Sequence, residues 1–348
     1  MDLGPEDFER VYRLALANGE GACGHYHRNI RVDYGGQAVV VRIPEGCVER
    51  MDFSIWREGE LLRAIEPHTK LSPRLIHEAD SYQVHGFLPG FTVADSYPRG
   101  TRLPPDITAG VRAAFADMLQ VPRRQLPPIR RRWPKDGDTR AFARVLIGHA
   151  RGLRRAHGRE RPALFERLGM PEDPFGALAE RLGPRGAGIG RRDFRLLHGD
   201  LHRGNLLSNG PGEVYVLDWQ LALWGDPVFD LARHLHTTGY SAVQEKAVIR
   251  EWCDTAAAAP GRCLERWEEA LGFYRAYEQV KSSVVDTVRW SRRIEALRRG
   301  SDEELAAASE LARRVNAGRE HWPRFAEADG LTAQEVLHAV RGTRALPR

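Results

Sequence analysis

Three polar residues in fixed spacing carry the clearest chemical signal in the chain: Asp200, Asn205 and Asp218. The run Leu196-Leu197-His198-Gly199-Asp200-Leu201-His202-Arg203-Gly204-Asn205 places an asparagine five residues after an aspartate. A turn, Ser208-Asn209-Gly210-Pro211-Gly212, and the β-type run Val214–Val216 then deliver a second aspartate 13 residues further on. Transfer of a phosphoryl group needs such a set. One carboxylate orients, or deprotonates, the attacking hydroxyl, while a neutral oxygen ligand and a second carboxylate hold Mg²⁺ against nucleotide phosphates. Little covalent chemistry is left to the protein, so placement and charge neutralisation supply most of the rate. A turn or cap accounts for either aspartate alone, but not for the register of all three residues.

The spacing agrees with the kinase pattern H-R-D-L-x-x-x-N followed by a strand-terminal Asp. It resembles more closely the H-G-D-x-x-x-x-N motif of the aminoglycoside phosphotransferase and choline kinase-like family. The block Leu217-Asp218-Trp219-Gln220-Leu221-Ala222-Leu223-Trp224-Gly225-Asp226-Pro227-Val228-Phe229-Asp230-Leu231-Ala232 is similar to that family's I-D-W-x-x-A-x-x-G-D-P-x-x-D-L-A. The two blocks span about 35 residues. The resemblance implies an α+β, bilobal, protein-kinase-like fold and transfer of the γ-phosphate of ATP or GTP to a hydroxyl of a small molecule. By position it makes Asp200 the catalytic aspartate and Asn205 and Asp218 the Mg²⁺ ligands. His198 braces the loop, and Asp226 and Asp230 cap and anchor the turn and helix after Asp218. Arg203 stands where family members often carry proline, which makes it a candidate contact to phosphate or substrate.

The elements that must hold these residues divide into a strand-rich lobe over 1–90 and a helical lobe over 91–348. Residues 29–33 and 38–43 flank Gly35-Gly36 and predict a hairpin. Phe53 to Ile65 predicts an amphipathic helix. Kinases grip the α/β-phosphates with a strand base held by a helix glutamate. The only lysine before residue 135 is Lys70, which lies on no strand. Arg42, in Val39-Val40-Val41-Arg42-Ile43-Pro44, is the base in register, with an exposed arginine at a strand end as the other reading. Its partner is Glu58, with Glu60 as competitor on another helix face, and Gly59 between them has no evident purpose. The resemblance puts the phosphate-covering loop at Gly21 to Asn29, including Gly24, and the hinge at Tyr82 to Gly90. There the backbone of Val84 to Gly86 meets the nucleotide base. The Pro- and Arg-rich stretch Val121 to Asp138 reads as a linker. From Ser241 onward the pattern is helical, with capping boxes at Ser301–Glu304 and Thr332–Glu335.

Composition removes the competing classes. With 42% hydrophobic and 28% charged residues the chain is an ordinary globular one. It has no apolar run of membrane-spanning length, an acidic N-terminus unlike a secretory leader, and four cysteines without metal-type spacing. A cytoplasmic protein with neither a membrane nor a nucleic acid as partner is the expectation. The net charge of +5 is mild, and the Arg123–Arg132 run has no recognition motif beside it. There are four lysines against 48 arginines. A net-basic chain suits a neutral or anionic acceptor at least as well as a polycationic one. The acidic residues Glu265, Glu268, Glu269, Glu278, Asp286 and Glu295 read mostly as a solvated helix face. An antibiotic kinase leads. A metabolic kinase for choline, a sugar or an amino alcohol is the alternative, with a nucleotide-binding pseudokinase behind it.

Overall fold

Gly35 and Gly36 both take positive φ, 60° and 76°, the geometry a two-residue hairpin needs and only glycine adopts freely. This hairpin organises the N-terminal sheet. The computed structural model describes residues 4–18, 22–23, 27–44, 54–129, 132–183, 188–210, 213–323 and 330–342.

In chain order, helix α1 (Pro5–Asn18) precedes strands β1 (Ala22–Cys23), β2 (His27–Tyr34) and β3 (Gln37–Pro44). Helix α2 (Glu58–Ile65) comes next, then β4 (Leu75–Glu78), β5 (Gln83–Gly86), β6 (Phe91–Thr92), α3 (Val93–Ser96) and α4 (Pro105–Gln120). Helices α5 (Thr139–Glu160), α6 (Pro162–Arg167) and α7 (Gly176–Arg181) lead to β7 (Arg195–Leu197), β8 (Leu206–Ser208), β9 (Val214–Val216) and β10 (Leu223–Gly225). The remainder is α8 (Pro227–Thr238), α9 (Ala242–Ala258), α10 (Trp267–Ala296), α11 (Asp302–Arg319) and α12 (Ala333–Arg341). These elements form two compact units, Met1–Trp133 with Asp193–Leu264, and Pro134–Arg192 with Glu265–Arg348.

In the first unit an antiparallel sheet runs in the order β1-β2-β3-β5-β4. Alternate residues of β2, β3 and β5 (Ile30, Val32, Val39, Val41, Val84) face Phe8, Val11 and Ala15 of α1 and are buried there. Each such side chain contributes about 1.5–3 kcal/mol. Arg42 lies between Val41 and Ile43 and therefore faces away from that core. The smaller sheets are β6-β8-β9 and β10-β7.

The helix expected from Phe53 begins only at Glu58 among the described residues. Trp56 is the reason. Its buried indole Nε1 donates to the Pro127 carbonyl at 2.9 Å, and Arg57 is extended, so the chain reaches helical geometry late. Gly59 also gains an explanation, since a Cβ there would run into the Glu78 carboxylate.

In the second unit α5 starts at the N-cap Asp138, which accepts from Ala141 N at 2.9 Å. Thr332 and Glu335 form the expected reciprocal box. At Ser301 only half of it forms, because Glu304 turns to Gly300 N and Arg341. The acidic run of α10 is less solvated than its sequence suggested. Glu268 and Glu269 are exposed, but Glu278 and Asp286 are buried and pair with Lys281 and Arg314, each at 2.6 Å. Long arginine and lysine stems carry the charge inward to meet them. Among the described residues no helix is long and apolar enough to cross a membrane.

Candidate active site

The buried strand β7 delivers the loop 198–205, and the hairpin β8–β9 delivers Asn205 at one end and Asp218 just past the other. Leu217 N donates to Asn205 O at 2.8 Å and fastens the two ends together. His198, fully buried, spans the same gap. Its Nδ1 accepts from Asp200 N at 3.2 Å, so Nε2 carries the proton and donates to Leu217 O at 2.9 Å. Burial pulls the imidazole down to about 4, so it stays neutral and braces the loop.

Asp230 on α8 anchors the loop backbone, accepting from His198 N and Gly199 N at 2.9 Å each. Burial pushes its carboxyl up to about 6, against the pull of those two N–H groups. Gly199 has φ 75°, and a Cβ would strike Leu221 O, so no other residue fits. Asp226 is the N-cap of α8. Both aspartates thus do the anchoring and capping expected of them.

Both oxygens of the Asp200 carboxylate have a neighbour. Oδ1 accepts from Arg233 Nη2 at 2.7 Å, and Oδ2 lies 3.5 Å from His202 Nε2. Burial works against the charge, but Arg233, helped by His202 and His198, outweighs it and holds the carboxyl far below the usual range. Sequence reasoning missed Arg233. Its signal was position: it lies three residues after Asp230, one turn on along the same helix face.

Asn205 donates its Nδ2 to Asp200 O at 2.9 Å, which leaves Oδ1 as an unengaged acceptor among the described residues. Asp218 sits at φ 62°, a left-handed conformation that costs a non-glycine residue about 1–3 kcal/mol. Amide and carboxylate oxygens are the donors Mg²⁺ prefers, and two protein ligands with phosphates and water are its usual complement. Asn205 and Asp218 therefore fit that ion.

Arg42 meets Asp218 Oδ1 at 2.5 Å, Glu58 Oε2 at 3.3 Å and His27 Nδ1 at 3.2 Å. Glu58 Oε1 accepts from Trp219 N at 2.9 Å, so the glutamate ties the α2 start to the metal-type loop. Burial opposes the Arg42 charge, but Glu58 and Asp218 outweigh it and hold the guanidinium above its ordinary value. Glu58, not Glu60, is the partner.

Gly24, expected in the phosphate-covering loop, lies outside the described residues. Val84 has its side chain in the sheet core, on a strand paired along both edges with β3 and β4. Gly86 N donates to Arg74 O at 2.9 Å, and Phe87 N to Ala38 O at 3.4 Å. Beyond Phe87, no backbone acceptor among the described residues meets the Leu88 N–H.

Arg203 does not face phosphate. It is buried and donates to Thr238 O, Tyr97 O, Pro98 O and both Thr101 oxygens at 2.7–3.1 Å. It stitches the catalytic loop to the 97–101 segment and the end of α8. Arg203→Met takes this donor from Thr238 O, Tyr97 O and Thr101 O and is expected to cost about 3 kcal/mol of unfolding free energy, read from urea denaturation.

Solved structures share this architecture across most of the chain. A Ralstonia eutropha protein assigned to the aminoglycoside phosphotransferases has TM-score 0.57 and 15% identity, covering 91% of this chain and 98% of its own. The macrolide 2'-phosphotransferase MphH of Brachybacterium faecium gives 0.51 and 17%, covering 88% and 98%. A choline/ethanolamine kinase family protein of Mesorhizobium loti gives 0.51 and 16%, covering 97% and 98%. No curated protein sequence matches the chain. The fold is thus α+β and protein-kinase-like. The profile of the phosphotransferase enzyme family matches residues 22–280, and the chain belongs to that family. It is a small-molecule kinase that phosphorylates a hydroxyl acceptor.

Proposed function

We propose that the chain transfers the γ-phosphate of ATP or GTP to a hydroxyl of an antibiotic-type natural product. The observation that carries this is the assembly around one loop of an ionised Asp200, an Asn205 with a free amide oxygen, and Asp218. Asp200 orients the acceptor hydroxyl through Oδ2, the oxygen that Arg233 does not hold and that His202 Nε2 approaches at 3.5 Å. The hydroxyl oxygen attacks the γ-phosphorus, the bond to the β-phosphate oxygen breaks, and the hydroxyl proton passes to Asp200 and on to water. Mg²⁺ held by Asn205 and Asp218 would neutralise charge on the phosphates. Arg42 takes the α/β-phosphates as its new partner in place of Asp218, which frees that carboxylate for the metal. Its planar fork suits phosphate. The base lies along the end of β5, beyond Gly86, with Val84 acting through the position of the strand.

The acceptor is neutral or weakly charged. The net charge of +5 suits such an acceptor at least as well as a polycation. A phosphate of about −1.5 to −2 on a drug hydroxyl would abolish target binding by charge and bulk. ATP and Mg²⁺ are cytoplasmic supplies, which places the reaction there.

The test is a product screen. The protein is incubated with Mg-ATP or Mg-GTP and a panel of macrolides, aminoglycosides, nucleoside and sugar antibiotics, choline, ethanolamine and simple sugars. Phosphorylated products are followed by mass. Turnover confined to choline or sugars would assign a metabolic role. Tight nucleotide binding without turnover of any acceptor would make the chain a pseudokinase.

A further inference from the structure

A line of side chains behind Arg42 leaves one acceptor atom unmatched among the described residues. In the β3–β5 ladder Arg42 pairs with Gln83, and Val40 with His85. Cross-strand partners share a face, so Gln83 and His85 lie on the side of Arg42, opposite the core that holds Val39, Val41 and Val84. His85 is 4% exposed.

Its proton arrangement is fixed by the contacts along this line. Glu78 Oε2 accepts from Arg63 at 2.8 Å, so Glu78 is an acceptor only. Gln83 Nε2 donates to Glu78 Oε1 at 3.1 Å, which turns Gln83 Oε1 toward His85 Nε2 at 3.0 Å. That oxygen can only accept, so Nε2 carries the ring proton. Burial, reinforced by Arg42 and His27, pulls the imidazole down to about 3 and keeps it neutral. Nδ1 is therefore a bare acceptor, and nothing among the described residues donates to it. Gly59 belongs to the same construction, since its missing Cβ is what admits the Glu78 carboxylate that sets the relay.

We propose that His85 Nδ1 selects the donor nucleotide by accepting a hydrogen bond from an exocyclic amine on the base, favouring a 6-amino purine over a 6-oxo purine. The inference rests on the phosphotransferase reading, with the nucleotide on the Arg42 face of the sheet. A 6-amino group supplies the missing donor. A 6-oxo group sets oxygen against a nitrogen lone pair and leaves both unpaired.

The experiment measures Kd for Mg-ATP, Mg-ITP and the Mg complex of purine riboside triphosphate, which has hydrogen at C6. Isothermal titration needs no acceptor. Wild type is expected to bind ATP at least about tenfold more tightly than ITP, with the 6-hydrogen analogue between them. His85→Leu should narrow the ATP/ITP ratio to about threefold or less. His85→Gln should also narrow it, because an amide can turn to donate or accept. Wild-type binding of ATP and ITP with equal affinity would overturn the inference and leave the phosphotransferase reading standing, and this comparison needs no variant. A folded His85→Leu protein with an unchanged ratio would do the same. Failure of every nucleotide to bind would overturn the reading and the inference together.

Discussion

An Asp200→Asn enzyme will fold, bind Mg-nucleotide within about twofold of wild type, and phosphorylate its acceptor about 10³-fold more slowly. The expectation comes from what each atom of Asp200 touches. Oδ1 is engaged by Arg233, and Asn keeps an oxygen for that bond. The backbone N–H meets His198, and the carbonyl meets Asn205; neither depends on the side chain. The substitution removes the charge and the acceptor strength that the hydroxyl meets at Oδ2, and with them the contact to His202 Nε2. Because Asp200 is placed against the acceptor, not the nucleotide, kcat should fall while nucleotide affinity holds. Asp200→Ala makes a useful contrast. It takes away the carboxylate beside Arg233, whose own side chain is 9% exposed, and should be less stable than Asp200→Asn by about 2 kcal/mol. Single-turnover rates and urea titrations separate the two effects. An Asp200→Asn protein that phosphorylates its acceptor at the wild-type rate would remove Asp200 from the reaction.

The chemistry-bearing spacing was legible because it is local. A β-run, a loop and a hairpin turn place Asp200, Asn205 and Asp218 within 19 residues of one another, and that geometry comes from alternation and turn residues alone. The hairpin at Gly35-Gly36 and the long helices were legible for the same reason. The supports were not, because they act across distance. Arg203 has an acceptor set drawn from residues about 35 and 100 positions away, and no pattern within the loop distinguishes it from a phosphate ligand. Trp56 delays α2 through a carbonyl 71 residues along. Gly59 is explained only by a carboxylate on β4. The acids of α10 looked solvated because helical spacing shows which residues share a face, not what packs against that face; Arg314 arrives from another helix. The choice between Glu58 and Glu60 likewise needed the third dimension, since it turns on which carboxylate reaches Arg42 and the Trp219 N–H together.

Arg42→Met is expected to lower kcat/KM for the nucleotide by at least about 10²-fold and to cost about 3 kcal/mol of stability. Both effects come from one guanidinium, so they must be separated. The stability loss arises because Glu58, 6% exposed at the side chain, loses the partner that offsets its burial, and burial already pushes its carboxyl up. Neutralising the glutamate as well should remove that penalty, since a buried ion pair is often replaceable by neutral groups of similar size. Arg42→Met/Glu58→Gln is therefore expected to recover most of the lost stability, and the introduced amide oxygen can still accept from Trp219 N. The phosphate grip does not return with it, because no other cation in the described sheet meets Asp218 as Arg42 does. Arg42→Lys should fall between wild type and Arg42→Met, as one ammonium cannot span Glu58, Asp218 and a phosphate with a fixed fork. If the double variant regained turnover along with stability, the Arg42–Glu58 pair would be a structural tie alone. If stability returns and nucleotide kcat/KM does not, the arginine is the base that holds the donor phosphates.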